Sequence, residues 1–325
     1  MISLGIIGLG GIAAGLHLPE IRSLPGLFSV AGAADPSPAA AARAAELELP
    51  SLTADYRELL ADPSIDAVVI TSPHDCHVTH CVDALRAGKH VLVEKPIART
   101  LEEAQTILQA AKAADRLLMV GFNERYTPIH SRIKRLLEEG GLGGKILTAR
   151  IDHFQNFNPT PGSWWRSRES VGGGCVIGSG IHRLDLLRWY LGEPTEVYAQ
   201  AVYVPSRLEA EACVNAVIRF QSGATADFVC NWAVDRYPYY ESLSLCGSDG
   251  IVVTDGSRLQ GCHKDIGCGA LHDIPAEEPE GMYRHFARCI ATGESPLTSG
   301  EEGYKSLRLA LAVTESADKG LPVRL

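Results

Sequence analysis

The sequence predicts an α/β protein in two parts, a doubly wound parallel sheet followed by a second α/β domain with an open, largely antiparallel sheet. Three observations predict it. Residues 1–122 alternate short apolar runs with helical stretches, the rhythm of βαβ units. Between Glu196 and Val253 strand-like runs then follow one another without helices, as in antiparallel or mixed sheets. The length, 325 residues, fits two domains at about 150 residues each. With 46% hydrophobic and 21% charged residues the composition is that of an ordinary globular chain. The expected division is 1–122 and 123–325.

Residues 2–8, ISLGIIG, form an apolar strand that ends in glycines, and a helix is expected from Ile12 to Leu24. Phe28–Ala34 is the next strand, ending at Asp35, and the Ala-rich Pro36–Leu47 reads as helix. Tyr56–Ala61 is a short helix, Ala67–Thr71 a strand, and His77–Ala87 a helix stopped by Gly88. His90–Glu94 is a strand closed by Lys95-Pro96, Thr100–Ala114 a helix, and Leu117–Gly121 a strand. After the change of rhythm come a helix at Pro128–Glu139, a long alternating strand at Lys145–Phe154 and a helix at Cys175–Leu191. Strand-like runs then follow one another from Glu196 to Val253, before closing helices at Met282–Ala291 and Gly303–Ala317.

Charge and cysteine usage exclude several classes. Thirty basic against thirty-nine acidic residues give a net charge of −9, which offers no footprint for nucleic acid and no polybasic membrane patch. No apolar run approaches the 18 or more residues of a membrane span. The nine cysteines are odd in number and scattered without CxxC spacing, as expected of free thiols in a reducing compartment. The N-terminus lacks the basic region of a signal peptide, so a cytoplasmic location is expected.

The segment Gly8-Leu9-Gly10-Gly11-Ile12-Ala13 matches GxGxxG/A, follows a predicted strand, opens a predicted helix, and has an acid, Asp35, twenty-two residues beyond Ala13. That context marks a dinucleotide site. Gly8 permits the tight turn, Gly10 lets the backbone approach a pyrophosphate, and Ala13 allows close packing. The N–H groups around Gly11 and Ile12 then face the anion. Asp35 accepts hydrogen bonds from the ribose hydroxyls and repels a 2′-phosphate. The nearest arginine is Arg43, so NAD is favoured over NADP.

Four stretches in order resemble the Gfo/Idh/MocA oxidoreductases: the Gly8–Ala13 turn, TSPHDCH at 71–77, AGKHVLVEKP at 87–96, and GGG…GIHRLDLLRWYLG at 172–192. The resemblance implies an N-terminal Rossmann domain, a C-terminal α/β domain, and NAD(P)-linked oxidation or reduction of a sugar, glycoside or cyclitol. It implies Lys95 of Glu94-Lys95-Pro96 as the catalytic lysine, with Glu94 beside the nicotinamide and a cis bond before Pro96. An ammonium hydrogen-bonded to the reacting hydroxyl stabilises a developing alkoxide. The resemblance also places Thr71, Pro73, His77 and Asn123 against the cofactor. It brings Trp165 and Arg166 to cofactor and substrate from the second domain.

On the helix 175–191, Gly178 and His182 fall one turn apart on one face. The family carries DxGxH there; here Gly178 holds the Asp position, while Gly180 and His182 remain. His182 is the expected general base, since an imidazole titrates near neutrality. Asp185 is expected to brace the helix. The missing carboxylate predicts open space beside His182 and a bulkier substrate, such as a glycoside or sugar derivative. Asp152, His153 and Tyr240 are expected to face the substrate.

The His/Cys-rich stretches at 74–81 and 262–272 lack metal-ligand spacing, so no metal is expected. Two alternatives remain at this point: glycoside cleavage through transient oxidation and elimination, and a non-catalytic NAD- or sugar-binding relative. The open sheet predicts a homodimer or homotetramer.

Overall fold

The computed structural model describes residues 1–236, 239–263, 267–276 and 278–325. The chain divides into two compact units, Met1–Gly121 with Glu280–Tyr304, and Phe122–Pro279 with Lys305–Leu325.

In the first unit, β1 (Ile2–Ile7) leads through a π-helical turn at Ala13–His17 to α1 (Leu18–Arg22). Then follow β2 (Phe28–Ala34), α2 (Ala40–Glu46), β3 (Leu52–Thr53), α3 (Tyr56–Ala61), β4 (Ala67–Ile70), α4 (His77–Arg86), β5 (His90–Val93), α5 (Leu101–Ala114) and β6 (Leu118–Val120). The expected single helix over 12–24 is thus interrupted. Pro19 has no N–H to donate into the α-ladder, and the wider turn precedes it. The strand order is β3-β2-β1-β4-β5-β6, all parallel. Every residue of β4 and β6 is buried, which explains their unbroken apolar runs. The order reverses between β1 and β4, so their carboxyl ends, just before Gly8 and Thr71, form the topological switch point where ligands of such sheets bind.

The expected boundary at 122 gives 280–304 to the second domain, and the structure corrects this. The edge strand β6 leaves backbone groups to satisfy, and this returning segment satisfies them. Met119 bridges Ser299, and the Val120 N–H donates to Thr298 O at 2.8 Å.

The second unit opens with a short turn at Asn123–Tyr126 and contains α6 (Pro128–Glu138), β7 (Ile146–Phe154), α7 (Arg168–Val171), a π-helical turn at Val176–Gly180 and α8 (Ile181–Leu191). Strands β8 (Pro194–Tyr203), β9 (Glu211–Phe220), β10 (Thr225–Asn231), β11 (Tyr240–Gly247), β12 (Gly250–Thr254), β13 (Leu259–His263) and β14 (Gly267–Asp273) come next. Helix α9 (Met282–Thr292) lies in the first unit, α10 (Gly300–Lys319) carries the chain onward, and β15 (Val323–Arg324) ends it. The nine-stranded sheet runs β14-β13-β12-β11-β7-β10-β9-β8-β15, antiparallel throughout except for β7 beside β10. Strand β9 shows why it forms. Val214, Ala216, Ile218 and Phe220 are buried on one face, while Asn215, Val217 and Arg219 are exposed on the other.

Helix α8 packs on the covered face, against β7 and β10. It is buried almost all round, so its charged residues find partners inside the protein. Asp185 accepts two 2.7 Å bonds from Arg125 and a third from Ser306 Oγ. The bracing role expected of Asp185 is what these contacts provide.

Candidate active site

In the first unit the chain leaves β1 at Gly8, whose φ is +94°. A Cβ there would stand 2.7 Å from Ser72 N, so only glycine fits. Nothing lies within 4 Å of where a Cβ of Gly10 or Gly11 would be, which leaves their backbone open to a ligand. Thr71 Oγ1 ties the turn down by donating to Gly8 O at 2.5 Å. Asp35, just past β2, accepts from Leu9 N at 2.7 Å and Ser37 N at 2.8 Å. Burial raises its pKa, but hydrogen bonds from Ser37 and Leu9, with Arg43 nearby, outweigh that and hold it below the usual carboxylate value. Arg43 Nη1 donates to Leu9 O at 2.6 Å. Sequence distance hid this: the nearest arginine sits on the glycine turn itself. Ile12 is exposed and Pro73 half-buried.

Lys95 is half-buried immediately beyond β5, and its peptide bond to Pro96 is cis, as expected. Two buried groups pin this loop. His77 Nδ1 meets Pro96 O at 2.8 Å and its Nε2 meets Ser72 O at 2.9 Å, with no exposure. Burial pushes the His77 pKa down. Its expected place against the cofactor is therefore corrected: the buried ring lies between the carbonyls of two loops, and its neutral form donates to one of them.

Glu94 is the second anchor. Its Oε2 accepts the Lys95 N–H at 3.2 Å, and its Oε1 lies 2.9 Å from His17 Nε2. His17 Nδ1 in turn lies 2.7 Å from Tyr283 Oη, completing a buried Tyr–His–Glu chain. Burial pushes the Glu94 pKa up, but the His17 hydrogen bond and charge bring it below the usual range. A Cβ at Gly121 would come 2.9 Å from Glu94 Oε1, so the glycine makes room for the carboxylate. His17 and Tyr283 were not singled out from the sequence, because neither belongs to a motif and they stand 266 positions apart.

In the second unit His182 lies in the first turn of α8, half-buried, with its ring edge-on to Phe122 at 5.9 Å. Arg183 beside it reaches Glu124 at 2.8 Å, Tyr239 Oη at 2.5 Å, and Glu241. Burial raises the Glu241 pKa, but His153, Arg183 and Tyr239 together drive it far down. His153 is 2% exposed, and its Nδ1 stands 3.6 Å from Glu241, beyond hydrogen-bond range. Among the described residues neither of its ring nitrogens has a hydrogen-bond partner.

Two expected substrate residues are corrected by strand register. Asp152 pairs across the sheet with Ser242 and Val229, and takes two bonds from exposed Arg150. Tyr240 pairs with Phe154, their rings 5.5 Å apart. Both residues therefore lie on the face opposite Ile151 and His153, away from α8. Tyr239 instead meets His153 edge-on at 5.4 Å. Arg166 donates from Nε to Arg207 O at 2.8 Å and from Nη2 to Ser206 O, so its guanidinium braces a loop. Asn123 is half-buried.

The open space expected beside His182 is also absent. A Cβ at Gly178 would collide with the rim of the Trp232 ring, 2.7 Å from Cζ2, and stand 3.2 Å from Trp165 Cζ3. Trp232 was overlooked because it lies 54 residues downstream, on no motif.

The histidine-rich stretch after Thr71 is not gathered round one point, since His77 faces carbonyls and His80 Nδ1 faces Ser72 Oγ at 2.9 Å. In the later stretch the Cys268 side chain lies outside the described residues. No described helix is long and apolar enough to cross a membrane.

Comparison with known proteins agrees with this architecture. Residues 2–122 match the family described as "Oxidoreductase family, NAD-binding Rossmann fold", and 130–253 match "GFO/IDH/MocA C-terminal domain". The chain is 31% identical to the uncharacterized oxidoreductase YrbE of Bacillus subtilis, over 99% of this chain and 96% of the relative. It is 30% identical to 1,5-anhydro-D-fructose reductase of Ensifer adhaerens, over 97% and 96%. A solved levoglucosan dehydrogenase in complex with NADH and levoglucosan superposes with a TM-score of 0.91 at 25% identity, covering 99% of each chain. Other relatives are named as inositol dehydrogenases and as an NADP-linked xylose dehydrogenase. The glycine turn, the Glu94-Lys95-Pro96 loop, the helix bearing His182 and these matches along the chain lead to one conclusion: it belongs to the Gfo/Idh/MocA oxidoreductases, NAD(P)-dependent enzymes acting on CH–OH groups.

Proposed function

We propose that this enzyme interconverts a secondary alcohol and a ketone on a sugar or cyclitol derivative, with NAD as cofactor. The observation that carries the reading is Lys95, presented at the carboxyl end of β5 by a loop that His77 and the Tyr283–His17–Glu94 chain fix from beneath. The residues of the glycine turn fit a dinucleotide. Gly10 and Gly11 leave their backbone open, and the Asp35 carboxylate stands ionised at the end of β2. The nicotinamide, when bound, supplies the two-electron chemistry.

The chain's own residues handle the proton. The Lys95 ammonium donates a hydrogen bond to the reacting oxygen and stabilises negative charge as it develops there. His182 takes the hydroxyl proton in oxidation and returns it in reduction. His153 accepts or donates to a neighbouring substrate hydroxyl, and Thr71 keeps the glycine turn in register. Asp35 favours NAD, while Arg43 on the same turn gives NADP a second contact. Measured kcat/KM with each cofactor decides between them, and a value for NADP above that for NAD overturns the preference.

The open face of the large sheet carries Phe154, Tyr198, Val202, Val217, Val229 and Tyr240. We propose that two copies of the chain cover it, giving a homodimer or homotetramer. The test of function is purified protein with NAD and a panel of sugars, glycosides and cyclitols, read at the NADH absorbance. Turnover that survives Lys95→Ala unchanged overturns the catalytic assignment.

A further inference from the structure

Gly178 stands one turn before His182, and the space a side chain would occupy there belongs to indole rings. Trp232 is 2% exposed and fixed at both ends. Its Nε1 donates to Ser179 Oγ at 2.8 Å, and its carbonyl accepts from Arg207 Nη1 at 2.6 Å. Phe157 lies 4.4 Å from the Trp232 ring and meets Trp165 edge-on at 5.3 Å. Trp164 stacks on Trp165 at 4.2 Å. Trp165, half-buried, is thereby held with its edge over Gly178.

This packing removes a chemical option. Any side chain at 178 collides with Trp232, so no carboxylate, amide or hydroxyl at that position can serve a substrate beside His182. A substrate hydroxyl aimed there would lose its water and gain no partner. A carbon-bound hydrogen aimed there would pack against aromatic carbon, which such groups prefer. Trp232 is too deep to touch a ligand in this arrangement. It acts as a buttress, and Trp165 offers the accessible surface.

We propose that Trp165, buttressed by Trp232 over Gly178, is a specificity-determining residue that selects sugar derivatives turning a C–H face toward the helix. Ring hydrogens, a deoxy carbon or an O-alkyl group provide such a face. A cyclitol hydroxylated at every carbon provides it poorly. The inference rests on the proposed role of His182 at the reacting carbinol and deepens it by naming the substrate class.

The experiment compares methyl glycosides of glucose, galactose and mannose with myo-inositol, using the full-length protein loaded with NADH. Binding is read by calorimetry, separately from turnover. Wild-type protein is expected to bind at least one methyl glycoside about ten-fold more tightly than myo-inositol. Trp165→Ala should abolish that preference, and Trp165→Phe should restore most of it. Gly178→Asp alone should lose binding of both ligands. Combined with Trp232→Ala, or with Trp232→Phe if the smaller residue does not fold, it should shift preference toward myo-inositol by about ten-fold.

Equal weakening of glycoside and cyclitol binding by Trp165→Ala overturns the proposal, as does wild-type preference for myo-inositol over every glycoside. Absence of turnover with intact glycoside preference overturns the functional reading and leaves this assignment standing.

Discussion

Buried carboxylates near the proposed catalytic residues of the two units are held in opposite ways. In the first, Glu94 has an imidazole and a phenol behind it. In the second, Asp185 faces Arg125, while Glu124 and Glu241 both face Arg183. A guanidinium stays charged at any pH a protein meets, so the second unit's network is fixed. Beneath Lys95 the carboxylate is held instead by hydrogen bonding to an imidazole with a phenol behind it. One arrangement braces a helix; the other anchors the reactive loop.

The sharpest test of that contrast is Lys95→Ala. It should lower kcat by about 10³-fold or more, while NADH binding, followed by fluorescence, stays within a few-fold. Next in size is Asp185→Ala, which strands the buried Arg125 cation. It should cost about 3–5 kcal/mol in a urea unfolding curve. Asp152→Ala is the control on the opposite sheet face, where the Arg150 partner is 58% exposed. That change should cost less than about 1 kcal/mol and leave KM unaltered. A large KM change there would return Asp152 to the substrate site.

His17→Gln probes the arrangement beneath Lys95. Glu94 titrates below its ordinary value of 4.5 in the folded protein, so its stabilising contribution is complete above that value and is lost as pH falls through the lowered one. His80 and Lys95 flank this region, but His17, Lys95 and His77 are the charges that act on Glu94 itself, with Glu20 close to His17. Without His17, burial dominates and the carboxyl pKa rises. The acid limb of kcat/KM should therefore move to higher pH, and Tyr283→Phe should move it in the same direction by less. Lower thermal stability with an unmoved limb would show that the chain is only a brace. The smallest effect on catalysis is expected from Val217→Glu on the open face. It should lower the molar mass seen by light scattering and change kcat less than two-fold.

Much of the first unit was legible because parallel strands are continuous apolar runs and the glycine turn is local in sequence. The Lys95 loop and the His182 helix were legible for the same reason. What escaped was set by partners far along the chain. Pairing of the β6 edge depends on Thr298 and Ser299, and Glu94 depends on Tyr283. Asp152 was placed on the substrate side because it lies at the end of a predicted strand, and Tyr240 was added beside it, yet only register with β10 and β11 says which face is covered. Gly178 invited the idea of empty space, since a missing side chain is visible in a sequence and the ring that takes its place is not.

The returning segment has a consequence for biosynthesis. When the first 122 residues have left the ribosome, the outer strand of their sheet still waits for Thr298, and His17 still waits for its phenol. The nucleotide-binding half is therefore completed only once residues 280–304 have been made, after strands β7 to β14. A fragment ending at residue 122 should expose that unfinished edge and aggregate, whereas one that also carries 280–304 on a short linker should stay in solution.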